Sequence, residues 1–166
     1  MQNNLEIEKV REALKAGQVV ILPTETVYGV ACLASNSDEI FKLKRRPISK
    51  QLARVYGSVE AVLAKVRADR FLEKAIRSLL PGPYTLLLTD LEGHTFGARV
   101  PDHELCLQVL EGLEEEIALT SANIHNEFPA VSYPDAHLIF PTLVGIDGGV
   151  CKYSMPSMLI DMTITR

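Results

Sequence analysis

The sequence predicts an α+β or mixed α/β fold, a sheet with helices outside it, and three observations carry that prediction. Short apolar runs of strand length, such as Val19-Val20-Ile21-Leu22, recur along the chain. Stretches with helical apolar spacing lie among them. The two kinds do not alternate strictly, which argues against a doubly wound parallel sheet. With no internal repeat, low-complexity tract or linker, residues 1–166 read as a single domain. A chain of 166 residues can bury roughly 70% of its unfolded surface.

Residues 5–16 read as an amphipathic helix, apolar at Leu5, Val10, Ala13 and Leu14 and stopped by Gly17. The apolar run 19–22 is a strand buried on both faces; Pro23 ends it and a polar turn continues through Gly29. Ser37-Asp38-Glu39 starts a helix that Pro47 stops. Residues 52–56 form a strand, and Ser58 caps a short helix through about Val66. Residues 69–80 are helical until Pro81-Gly82-Pro83 breaks them. Strands at 84–89 and 95–100 are joined by a turn at Gly93. A helix at 102–111 leads into a strand at 117–120. After a polar loop, 143–147 and 158–162 supply the closing strands.

Composition narrows the function classes. Hydrophobic residues make up 47% and charged residues 23%, as in an ordinary globular protein. No apolar run approaches the ~20 residues that span a bilayer. The start Met1-Gln2-Asn3-Asn4-Leu5-Glu6 lacks the character of a secretory signal. Cys32, Cys106 and Cys151 are widely spaced with no CxxC, so buried reduced thiols and a cytoplasmic location are expected. The net charge of −4 does not advertise a nucleic-acid binder. The distribution is uneven: Lys42, Lys44, Arg45, Arg46, Lys50 and Arg54 fall in one stretch without an acidic residue.

Four segments hold the polar groups suited to chemistry. Thr24, Glu25, Thr26 and Tyr28 sit in the turn after the first strand, where open sheets commonly bind ligands; their hydroxyls could equally satisfy the local backbone. Lys44, Arg46 and Lys50 can bind phosphate oxygens or complement the helix C-terminal dipole. Ser121 and Asn123, in Thr120-Ser121-Ala122-Asn123, follow a strand, and no nucleophile elbow accompanies Ser121. Arg99 lies in the apolar strand Phe96-Gly97-Ala98-Arg99-Val100, so it needs either a ligand carboxylate or an internal Asp or Glu. There is no P-loop, and His94, His103, His125 and His137 lack metal-ligand spacing.

Taken together these motifs are similar to those of a known family. Pro23-Thr24-Glu25-Thr26-Val27-Tyr28-Gly29, Lys44-Arg45-Arg46-Pro47, Pro81-Gly82-Pro83-Tyr84-Thr85, Ala98-Arg99-Val100-Pro101, Thr120-Ser121-Ala122-Asn123 and Pro156-Ser157 occur in family order. The chain resembles the YrdC/TsaC family of threonylcarbamoyl-AMP synthases over nearly its whole length. The resemblance implies a single YrdC-like α/β domain with a twisted, mostly mixed or antiparallel sheet flanked by helices and a large concave, partly basic cavity. It implies that L-threonine, bicarbonate and ATP become threonylcarbamoyl-AMP and pyrophosphate, which feeds threonylcarbamoyl-adenosine formation in tRNA. By the same resemblance Lys44, Arg46, Ser121 and Asn123 are the catalytic set. Arg46, Lys50, Thr95, Asn123 and Arg166 would contact ATP. Thr24, Thr26, Tyr28, Arg99, Ser121 and Ser157 would surround threonine, with Arg99 pairing with its carboxylate.

Mg²⁺ would enter with ATP rather than on protein ligands. Implied partners are the tRNA-threonylcarbamoyl transferase proteins downstream and a contact with tRNA or double-stranded RNA; no membrane is implied. Two other functions share the resemblance. One is a YciO-like or RNA- or nucleotide-binding module without catalysis. The other is the carbamoyl-adenylate domain of hydrogenase-maturation proteins, whose zinc-finger and acylphosphatase modules this sequence lacks.

Overall fold

A computed structural model of the chain describes residues 2–163. Helix α1 (Gln2–Lys15) buries Ile7, Val10, Ala13 and Leu14. It closes at Gly17, whose φ of +78° lets its amide turn back to the Leu14 carbonyl at 2.9 Å. Strand β1 (Val20–Leu22) is buried at every position, as its continuous apolar run requires. β2 (Gly29–Leu33) follows the polar turn directly. The sequence assigned no element there, because Gly, Ala and Cys give only a weak strand signal; pairing with β1 on one side decides it.

A single 3₁₀ turn leads into α2 (Ser37–Lys44), then β3 (Ala53–Val55). Helix α3 (Val59–Leu63) is shorter than expected; Ser58 caps it by accepting from the Ala61 amide at 3.2 Å, but Val66 leaves the helix to bridge Asp90. Then come α4 (Arg70–Leu79), capped by Asp69, and β4 (Tyr84–Thr89) and β5 (Thr95–Arg99) as an antiparallel pair. α5 (Glu104–Leu110) and β6 (Ile117–Ser121) follow.

The expected polar loop after β6 contains a further helix, α6 (Tyr133–Ile139). Its start was encoded: Ser132 caps it by accepting from the Asp135 amide, and Pro134 lies in the first turn. Of the two closing strands, β7 is reduced to Val144–Gly145, whereas β8 (Met158–Asp161) forms nearly as expected.

The eight strands make one sheet in the order β7-β1-β2-β6-β3-β5-β4-β8, with three parallel and four antiparallel pairings. The mixed topology agrees with the fold class read from the sequence. Alternation along the strands gives each face its own cover. On one face Val20, Leu22, Ala31, Ile117 and Leu119 pack with apolar residues of α1 and α5. On the other, Ile21, Val30, Cys32 and Ala118 pack with Ile40 of α2 and Ala136 of α6, while Leu86, Leu88, Phe96 and Ala98 pack with Val62 of α3 and Ile76 of α4. All three cysteines are free and buried. The first face is left partly open over β2, β6, β3, β5 and β4, and there the cleft lies. None of the described helices is long and apolar enough to cross a membrane.

Candidate functional site

The turn between β1 and β2 builds one wall. Thr24 Oγ1 donates to the Val27 carbonyl at 2.6 Å and accepts from the amides of Thr26 and Val27. With that proton committed, the 2.9 Å contact between the two threonine hydroxyls is a donation from Thr26 to Thr24. Thr26 Oγ1 in turn accepts from Arg99 Nη2 at 2.7 Å. The hydroxyls therefore do satisfy the local backbone, and they also hold a cation from the end of β5.

Arg99 is 4% exposed and pairs with the carboxylate of Glu25, 2% exposed, at 3.0 Å. Of the two ways to accommodate this arginine, the fold supplies the internal carboxylate. The contact is an ion pair outside hydrogen-bond angles: among the described residues neither Glu25 oxygen, nor Arg99 Nε, has a hydrogen-bond partner.

The opposite wall comes from the end of α2 and the end of β6. Arg45 adopts a left-handed conformation (φ 52°) that ends the helix, so Arg46 leaves at an angle while Lys44 is drawn inward to 1% exposure. Lys44 Nζ donates to Asn123 Oδ1 at 2.8 Å, to the Ser121 carbonyl, and to Ser121 Oγ at 3.4 Å. Ser121 Oγ donates to Asn123 Oδ1 at 2.7 Å, and Asn123 Nδ2 donates to the Glu127 carbonyl at 2.6 Å. Lys44, Ser121 and Asn123 thus form one hydrogen-bonded unit in which Asn123 is oriented from both ends, and Arg46 is not part of it.

Burial pushes the Lys44 ammonium down to about 8, with the neighbouring Arg46 charge adding to the effect. Arg46 itself is positioned by donating to the carbonyls of Lys50 at 3.2 Å and Gln51 at 3.0 Å, and burial lowers its pKa too. Of these two cations only Arg46 lines the cleft; Lys44, engaged by Ser121 and Asn123, stands behind it.

The two walls enclose a cleft of about 480 Å³. Arg46, Gln51, Arg99, Ser121, Tyr28, Thr85 and Ser157 line it, with Leu87, Leu119 and Leu159. Its floor is kept low by Gly97, where a Cβ would lie 3.3 Å from Thr85 Cγ2, and by Gly29, where one would meet the Leu119 side chain at 3.0 Å. Thr85 and Ser157 hydroxyls meet at 2.8 Å across β4 and the approach to β8.

Several expected residues take other places. Thr24 and Thr26 stand behind the lining and act through Arg99. Tyr28 lines the cleft, but its phenol donates to the Gly149 carbonyl at 2.8 Å and accepts from the Gly148 amide at 2.9 Å, anchoring the Asp147-Gly148-Gly149 loop. Lys50 is exposed and outside the lining, and only its carbonyl is engaged with Arg46. The structure does not bring Thr95 to the cleft: it lies at the exposed start of β5, beside Arg54, Lys65 and Glu116, at the other end of the strand from Arg99. Arg166 lies outside the described residues.

Thr85, Gln51 and Gly97 join the site without having been assigned to it, and Glu25, read only as a polar group of the turn, joins as the counter-charge of Arg99. For Glu25 the signal was present, since a lone arginine in an apolar strand demands a counter-charge. Among the described residues no group of three or more His, Cys, Asp or Glu could hold a metal ion, and no carboxylate lines the cleft.

This fold and cleft place the chain among known proteins. The Sua5/YciO/YrdC family model, described as "Telomere recombination", matches residues 12–166. Threonylcarbamoyl-AMP synthase of Homo sapiens is 37% identical over 149 residues, covering 82% of this chain and 53% of that protein. Threonylcarbamoyl-AMP synthase of Klebsiella pneumoniae is 30% identical over 171 residues, covering 90% of each. The crystal structure of Pyrococcus abyssi Sua5 complexed with L-threonine superimposes with a TM-score of 0.84 at 29% identity, over 94% of this chain and 51% of that one. The chain belongs to the Sua5/YciO/YrdC family. It spans about half the length of the human and other animal relatives it matches.

Proposed function

We propose that this protein is an L-threonylcarbamoyladenylate synthase, a nucleotidyltransferase, with residues 1–166 acting as one domain. The observation that carries the reading is that two sets line one cleft: Arg46 and Ser121, with Lys44 and Asn123 behind Ser121, and Arg99, with Thr26 behind it. The first suits a phosphate chain and the second a small polar amino acid, and the activity for which the relatives are named needs both.

Threonine's amine combines with bicarbonate, losing water, to give a carbamate. A carbamate oxygen then attacks the α-phosphorus of ATP in line while pyrophosphate leaves. No covalent enzyme intermediate is needed, which fits a Ser121 hydroxyl committed to Asn123 rather than to a base. Catalysis rests on orientation and on stabilising charge as it develops on the phosphates. Arg46 and Lys44 supply that charge, Asn123 and Ser121 position the reacting groups, and Lys50 reaches the outer phosphates from the rim. Arg99, Thr26, Tyr28, Thr24 and Ser157 shape the threonine end. Mg²⁺ arrives on the triphosphate, which suits a lining of cations and hydroxyls without a carboxylate. Thr95 has no part in this reading; Arg166 is retained in it as an ATP contact.

The product would pass to tRNA-threonylcarbamoyl transferase proteins in the cytoplasm. Direct tRNA or double-stranded RNA contact would use the exposed basic rim at Arg45 and Lys50. The test is pyrophosphate release from ATP with threonine and bicarbonate omitted in turn. Release that requires both is expected. Absence of release, with RNA bound in a salt-dependent and threonine-independent way, would replace the synthase by a binding module.

A further inference from the structure

We propose that Glu25 sets the charge that the Arg99 end of the cleft accepts: by compensating the guanidinium from inside the fold, it makes that end take an uncharged hydrogen-bonding group and reject a carboxylate. The proposal rests on reading the cleft as an amino-acid site.

Arg99 lines the cleft and Glu25 does not; the carboxylate lies behind the guanidinium, 3.0 Å from Nη2. The shape of the turn does not need that carboxylate. Thr24 and Thr26 hydroxyls hold the turn, and Glu25 contributes to it through its carbonyl, which accepts from the Tyr153 amide at 2.9 Å. Both Glu25 carboxylate oxygens lack a hydrogen-bond partner, so the group acts through its charge alone. Burying a carboxylate in this way is costly unless it offsets a buried cation.

Three titratable groups within reach of the pair's charge, His103, Cys106 and Cys151, add none of their own near neutral pH. Burial holds His103 below the ordinary histidine range and pushes the Cys106 and Cys151 thiols up. Arg99 and Glu25 therefore leave this end neutral overall, with the Arg99 Nε donor still without a partner. A ligand hydroxyl loses little by meeting such a pair. A ligand carboxylate meets a guanidinium whose charge is already offset, and a like charge behind it.

Neutralising Glu25 should invert the preference. The experiment titrates L-threonine and L-aspartate into the unaltered protein, Glu25→Gln, Glu25→Asp and the double variant Glu25→Gln/Arg99→Gln, reading binding by calorimetry. Glu25→Gln should raise the affinity for L-aspartate by about tenfold or more, the scale of one charge-assisted hydrogen bond. The double variant should lose that gain, and Glu25→Asp should keep the original preference. An unchanged L-aspartate affinity in folded Glu25→Gln, or a gain that survives loss of Arg99, would overturn the proposal.

Should Glu25→Gln not fold, competition on the unaltered protein decides. L-serine should displace L-threonine while equal L-aspartate does not, and displacement by both alike would overturn it. A protein that binds no threonine would remove the amino-acid reading of the cleft. The L-aspartate gain in Glu25→Gln would still be read separately.

Discussion

Replacing Lys44 by methionine, which keeps the length of the side chain and removes its charge, probes the buried centre of the site. The Lys44 ammonium is 1% exposed and its pKa falls from 10.5 to about 8 on folding. A lowered folded-state pKa means that the unfolded chain binds more protons between these values, so this group's contribution to stability rises with pH through the window. At pH 7 this lowering amounts to a penalty of about 3 kcal/mol. Between pH 7 and pH 9 about 1 kcal/mol of it is relieved.

The variant lacks this term, so the stability difference between unaltered protein and Lys44→Met should move by that amount in favour of the unaltered protein. Taking the difference also cancels the buried thiols and tyrosines, which titrate in the opposite sense at higher pH. Urea unfolding at about pH 7, 8 and 9 reads it. A difference that stays flat across this range would show that Lys44 is not buried as an ammonium. Pyrophosphate release should be lost at every pH, because the site loses a cation and Asn123 loses one of the two donors that hold its Oδ1.

Other substitutions separate the two ends of the cleft. Arg46→Ala and Asn123→Ala should each lower pyrophosphate release by about a hundredfold or more while urea midpoints move little for Arg46→Ala; undiminished turnover in both would refute the placement of the phosphates. Arg99→Lys keeps the charge but not the fork that reaches Thr26 and Glu25, so the KM for threonine should rise about tenfold with the KM for ATP little changed; equal losses for both substrates would argue against a threonine-end role. Gly97→Val places methyl groups against Thr85 and into the cleft floor, and should cost about 1–3 kcal/mol by overpacking and abolish threonine binding in calorimetry; normal binding would mean that the ligand does not lie over β5.

Much of this fold was legible because its strands are continuous apolar runs bounded by proline and glycine. The 19–22 run, the Pro81-Gly82-Pro83 break and the Gly93 turn each mark an element boundary that the structure respects. What escaped has a common cause. β2 is specified by its pairing with β1 and β6, and its Gly, Ala and Cys carry little local preference. α6 is short and polar at its start, so the serine cap and Pro134 were outweighed by the surrounding loop residues.

The site was legible as a set of residue types but not as a set of distances. Lys44, Ser121 and Asn123 are 77 and 79 residues apart in sequence, and only the β2–β6 pairing beside α2 brings them together. The counter-charge of Arg99 could be demanded from sequence but not chosen. Glu25 wins it because the threonine-rich turn lies against the end of β5. Thr95 stands apart from the cleft for a related reason, as a residue four positions from Arg99 on the same strand lies at the strand's opposite end.

The central claim is that one cleft joins threonine, bicarbonate and the adenylyl group of ATP. It is tested most directly by incubating the protein with ATP, Mg²⁺, L-threonine and isotopically labelled bicarbonate, and analysing the nucleotide products by mass spectrometry. The account predicts an adenylate that contains threonine and one labelled carbon, formed in step with pyrophosphate and absent when threonine is left out. Nucleotide products that contain neither threonine nor the label, from protein shown to bind ATP, would contradict it.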